Sequence, residues 1–181
     1  MLTQPSRKRF LKMTAVGVVL LVAAAVFAAE QSGILFPNWA KPVKGTYASP
    51  ESTVGKQSTA ERPWSQTTYQ SSIEGKPLSA KPITVVGEII DLSCYLQVGK
   101  HGDKHRDCGQ KCARAGEPIG LLTEKGDVYM LMAEEHDPRR DGMTNFREKA
   151  IDAMAYVVTV NGTLSDVNGQ KAIYVQGFVK K

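Results

Sequence analysis

All three cysteines and two of the three histidines of this 181-residue chain fall between Cys94 and Cys112, in the run Cys-Tyr-Leu-Gln-Val-Gly-Lys-His-Gly-Asp-Lys-His-Arg-Asp-Cys-Gly-Gln-Lys-Cys. The run follows one β-type segment and precedes several others, so a β fold must carry it as an insertion between its first two strands. His101, His105, Cys108 and Cys112 are spaced by four, three and four residues. At about 100° per residue they fall within a stripe of roughly 60° on a helix. Soft and borderline donors on one face suit zinc, copper or an iron–sulfur cluster, and with three cysteines a cluster needs a histidine as fourth ligand. Gly102 weakens any helix reaching back to His101. The helical part is therefore expected to carry His105, Cys108 and Cys112, with Cys94 supplied by the preceding strand. The spacing matches neither paired Cys-x2-Cys zinc knuckles nor the Cys-x-x-Cys-His of covalent haem. A disulfide from Cys94 to Cys108 or Cys112 is the alternative.

The first 29 residues do not belong to a folded core. Basic Arg7, Lys8, Arg9 and Lys12 precede Met13 to Ala29, an uncharged apolar run that reads as an export signal or a single membrane span. Ser-Arg-Lys-Arg-Phe-Leu-Lys, residues 6 to 12, resembles the twin-arginine export motif, with Lys8 where the second arginine would stand. That resemblance implies export of a folded domain, often one already holding a metal cofactor. Cleavage after Ala28 would suit a signal. The apolar continuation through Ile34 to Phe36, ending at Trp39, favours a retained anchor with the C-terminal domain on the periplasmic side of the cell membrane.

The net charge of +5 does not mark a nucleic-acid binder. Residues 1 to 12 carry +4, residues 13 to 82 carry +2, and residues 83 to 181 carry −1, so the folded part lacks the basic footprint that nucleic acid requires.

Residues 30 to 81 are expected to be an extended linker, rich in Pro, Ser and Thr and without apolar periodicity. They contain both tryptophans, and Trp39, Tyr47, Trp64 and Tyr69 are candidate anchors on a partner surface or on the domain itself.

From Pro82 the texture turns to short β-type runs. Ile83 to Asp91 is the first strand, with Gly87 suited to a bulge or bend; Arg106 to Ala115 is a helix ended by Gly116. Ile119 to Thr123 and Val128 to Met132 form a hairpin across Glu124-Lys125-Gly126-Asp127. Thr144 to Met154 is a helix with Phe146, Ala150 and Met154 inward and Arg147, Glu148 and Asp152 solvated. Tyr156 to Thr163 and Ala172 to Val179 are strands joined through Asn168-Gly169.

The order strand, inserted helix, strand, strand, helix, strand, strand over residues 82 to 181 resembles the five-stranded oligonucleotide/oligosaccharide-binding (OB) barrel. In that fold the loop between the first two strands, here the cysteine stretch, faces ligand. Glu-Ile-Ile-Asp-Leu-Ser-Cys, followed by His and Cys-x3-Cys, is also similar to a group of small exported bacterial proteins of unassigned function, which implies no activity.

No nucleophile with its base, no paired carboxylates and no complete catalytic metal set is legible, so an enzyme is not expected. Asp91, Asp107, Glu134, Glu135 and Asp137 read as solvated acids, and His136 as a loop histidine. The expected function is a membrane-anchored accessory subunit of a larger cell-envelope complex, such as one of electron transfer or photosynthesis, contacting other subunits through linker and barrel. The alternative is an exported metal-binding or electron-carrier domain using the Cys94 to Cys112 cluster.

Overall fold

The computed structural model describes residues 40–134 and 145–176. Ten regular elements follow one another: β1 (Thr53–Val54), α1 (Gln66–Ser71), β2 (Lys81–Asp91), α2 (Leu92–Val98), α3 (Arg106–Arg114), β3 (Ile119–Leu122), β4 (Val128–Ala133), α4 (Asn145–Asp152), β5 (Val157–Val167) and β6 (Gln170–Val175). Short 3₁₀ turns lie at Ile73–Gly75 and Asp103–His105.

Strand β2 is long enough to serve two neighbours. Its first part, Lys81 to Glu88, runs antiparallel to β5, and Glu88 to Asp91 pairs with β3. Pairing with β5 stays in register through Gly87, so no bulge forms there. A side chain at Gly87 would instead meet Leu121 at 2.6 Å and the Leu122 carbonyl at 2.8 Å. β3 and β4 form the expected hairpin, β4 runs parallel to β6, and β6 returns antiparallel to β5. The result is a mainly β fold with a closed five-stranded mixed barrel, consistent with an OB-like architecture.

The turns form where local chemistry favours them. Gly126 and Gly169 take positive φ, and Asn168 joins Gly169 in a two-residue turn. Inside the barrel, Ile89, Leu121, Leu131, Val158, Val160 and Ile173 build the core, and α4 adds Phe146, Ala150 and Ile151, with Met154 just beyond it. Arg147 is not fully solvated as expected; its guanidinium bonds the carbonyls of Ala113 and Glu117 at the end of α3. In return Arg106 and Gln110 of α3 donate to the carbonyls of Asp152 (2.7 Å) and Ile151 (2.9 Å) at the end of α4. Each helix thus satisfies carbonyls that the other's last turn leaves open.

The segment expected to be a linker belongs, from Ala40 on, to the same folded unit. Lys44 bridges Tyr156, and β1 runs parallel to β5 beside it. Val54 is fully buried, and Trp64 is buried against Tyr174 with ring centroids 5.1 Å apart. The Trp64 indole donates to Leu78 O at 2.8 Å. Apolar periodicity is absent because each buried residue is a single contact of a strap with the barrel wall.

The apolar run of residues 13 to 29, Trp39 and the end of the predicted last strand lie outside the described residues. Among those described, no helix is long and apolar enough to cross a membrane.

Candidate metal centre

Three elements meet at the end of β2. Asp91 is its last residue and also the N-cap of α2, where its Oδ1 accepts from the Cys94 backbone N–H at 3.3 Å. Cys94 therefore stands in the first turn of a helix, not at the strand end where it was expected. The chain leaves α2 at Gly99, which takes φ +68, and turns again at Gly102 with φ +73. These two glycines break the stripe that would have put His101 and His105 on one face.

The two histidines consequently diverge. His101 Nδ1 lies 3.0 Å from Glu88 Oε2, and Gly102 N donates to Glu88 Oε1 at 2.7 Å. That carboxylate is fully buried and holds the His101 pKa above its ordinary value, its hydrogen bond outweighing desolvation. His101 is thus a clamp on the loop and stands apart from the other donors. Ala40 and Lys41 close the loop from outside. Asp103 N donates to Lys41 O at 2.7 Å, and a side chain at Gly102 would meet the Ala40 methyl at 2.7 Å.

His105 turns inward. Its Nε2 faces Asp91 Oδ2 at 3.6 Å, and both residues are buried, 5% and 1% exposed. Neither atom has a hydrogen-bond partner. A separation of 3.6 Å is too long for a hydrogen bond. It is close to the spacing of two ligands on one tetrahedral cation, whose O, N and S donors at ordinary zinc distances sit about 3.3 to 3.8 Å apart. Asp91, Cys94 and His105 each offer one donor atom, and these lie within 4.8 Å of one another.

Helix α3 brings the other two sulfurs. The Cys112 thiol interacts with Asp91, Cys108 and Cys94. Gly109 lets the helix approach, since a methyl there would come within 3.3 Å of the Asp91 Cβ and of Met154. Burial, and then the Asp91 charge, pushes the Cys112 thiol up to about 11; burial followed by the same carboxylate raises Cys94. The three cysteines are unbridged, Cys94 and Cys112 half-buried and Cys108 exposed.

Of the residues expected at a metal, Cys94 and His105 come together here, joined by Asp91, which the sequence had placed among solvated acids. The signal available for it was an Asp three residues before Cys94, directly ahead of a helix. Glu134 is buried too, accepting from Ser65 N at 2.5 Å and Gln176 Nε2 at 2.6 Å, whereas Asp107 is exposed. Glu135, His136 and Asp137 lie outside the described residues. Of the four aromatic candidates, Trp64 packs on the barrel, Tyr47 is half-buried near Glu88, and Tyr69 lies under the Arg62 guanidinium at 5.7 Å. Compared with protein-family models, curated proteins and solved structures, the chain matches none.

Proposed function

We propose that this domain binds a zinc-like divalent cation through Asp91, Cys94, His105 and Cys112. The observation that carries this reading is the buried pair Asp91 Oδ2 and His105 Nε2, facing each other with no hydrogen-bond partner for either atom, and Cys94 beside them. Leaving a buried polar atom unsatisfied costs about 1–3 kcal/mol, and two facing each other call for a shared partner. One carboxylate, one imidazole and two thiolates form a mixed set that suits borderline zinc better than copper(I), which prefers sulfur throughout. With His101 held by Glu88, an iron–sulfur cluster would take His105 as its fourth ligand beside the three cysteines and leave Asp91 Oδ2 without a partner.

The full-length chain, purified in mild detergent without added metal, should carry about one equivalent of zinc-like ion and release three titratable thiols when unfolded with a chelator. Cobalt substitution should give the intense visible bands of tetrahedral thiolate coordination. Less than about a tenth of an equivalent, with a single free thiol, would end this reading in favour of a disulfide.

A second reading, an accessory subunit held at the cell membrane by the N-terminal apolar run, draws on a different face. Trp64, Leu78, Met132 and Tyr174 line a cavity of about 350 Å³. Leu78 is 67% exposed, as an edge awaiting a protein neighbour would be. Co-purification from native membranes tests it; a chain that washes free in salt and elutes alone would not be such a subunit.

A further inference from the structure

Cys108 is left over by the donor set, and its position is informative. It sits one helical turn before Cys112 on α3, exposed to solvent, and interacts with the Cys112 thiol. The centre is therefore graded from inside to outside, with Asp91 and His105 buried at the floor, Cys94 and Cys112 half-buried, and a fifth donor at the mouth. Structural zinc sites are closed by four ligands and have no use for a fifth thiol within reach.

We propose that Cys108 is an exchange ligand through which the cation is handed to a thiol-bearing acceptor, so that the domain is a metal carrier. This rests on the reading of Asp91, Cys94, His105 and Cys112 as resting donors. The exchange is redox-neutral. The Cys108 thiol gives its proton to water as its sulfur bonds the cation, and one floor ligand lets go. Deprotonated sulfurs of the acceptor then replace, one for one, the three protein thiolates and the remaining floor ligand, and the freed thiolates take protons back from solvent. The coordination number never falls below four, which keeps transfer fast although the floor of the site is buried.

The test uses zinc-loaded full-length chain and two probes, a chromophoric zinc chelator and a synthetic four-cysteine zinc-finger peptide. Cys108→Ser should still bind one equivalent, with affinity within about three-fold of wild type, but should pass zinc to both probes at least about ten-fold more slowly. Asp107→Asn, an exposed neighbour, should change neither quantity. Wild-type transfer rates in Cys108→Ser would overturn the carrier while leaving the metal site intact. An affinity loss above about ten-fold in Cys108→Ser would make Cys108 a resting ligand and overturn it equally. A wild-type chain that binds no zinc would overturn the underlying reading itself.

Discussion

Asp91 Oδ2 and His105 Nε2 stand 3.6 Å apart at the end of β2, both buried and neither hydrogen-bonded. The first belongs to a barrel strand and the second to a 3₁₀ turn fourteen residues later, so the pair marks where the inserted stretch folds back against the barrel. Asp91→Ala and His105→Ala should each lower zinc affinity by more than the roughly 10–100-fold that loss of a supporting contact costs. Competition titration against a chelator measures it, and unchanged affinity in either variant would remove that residue from the donor set.

Metal binding should also be visible as stability. A ligand bound only by the folded state at a thousand times its Kd adds about 4 kcal/mol. Chelator treatment should therefore lower the thermal midpoint of wild type, and the same treatment should leave Asp91→Ala nearly unmoved. Equal shifts in both would mean that the chelator acts elsewhere.

The clamp between His101 and Glu88 predicts a pH dependence. Glu88 raises the His101 pKa above its ordinary 6.5, with Tyr47 and Tyr95 the other titratable groups near that carboxylate. A raised histidine pKa contributes stability that is fully present below about pH 6.5 and is lost as pH rises through the folded-state value. Urea unfolding of wild type and His101→Asn between pH 5.5 and 8.5 should show a gap that narrows with rising pH. A gap that is constant or widens would contradict the clamp.

Trp64 tests whether the strap is part of the fold. Removing a tryptophan buried against Tyr174 should cost about 3–5 kcal/mol. Urea denaturation of Trp64→Ala would show no change if residues 40 to 80 were only a tether.

Gly109→Ala probes the approach of α3 to Asp91. The added methyl must push against the Asp91 Cβ and the Met154 side chain, each 3.3 Å away, a strain of about 1–3 kcal/mol. It should weaken zinc binding through the displaced Cys112. Affinity equal to wild type would show that Cys112 does not bond the ion.

The sequence by itself determined what depends on near neighbours. The β3–β4 hairpin follows from Gly126, the β5–β6 turn from Asn168-Gly169, the inward face of α4 from Phe146 and Ala150, and the OB-like order of elements from their succession. It also put the three cysteines and two of the histidines in one stretch. What only the tertiary structure decided was set by contacts distant in sequence. Glu88 to Asp91 are buried without alternation because helices cover the outer face of the barrel there, so no period-two pattern could separate Asp91 from a solvated acid. The histidines parted because Gly99 and Gly102 turn the loop while Ala40, Lys41 and Glu88 hold it. The strap became structure because β5 and β6 offered Val54 and Trp64 a surface to bury against, and a segment whose apolar residues are single and widely spaced carries no local sign of the wall it will meet.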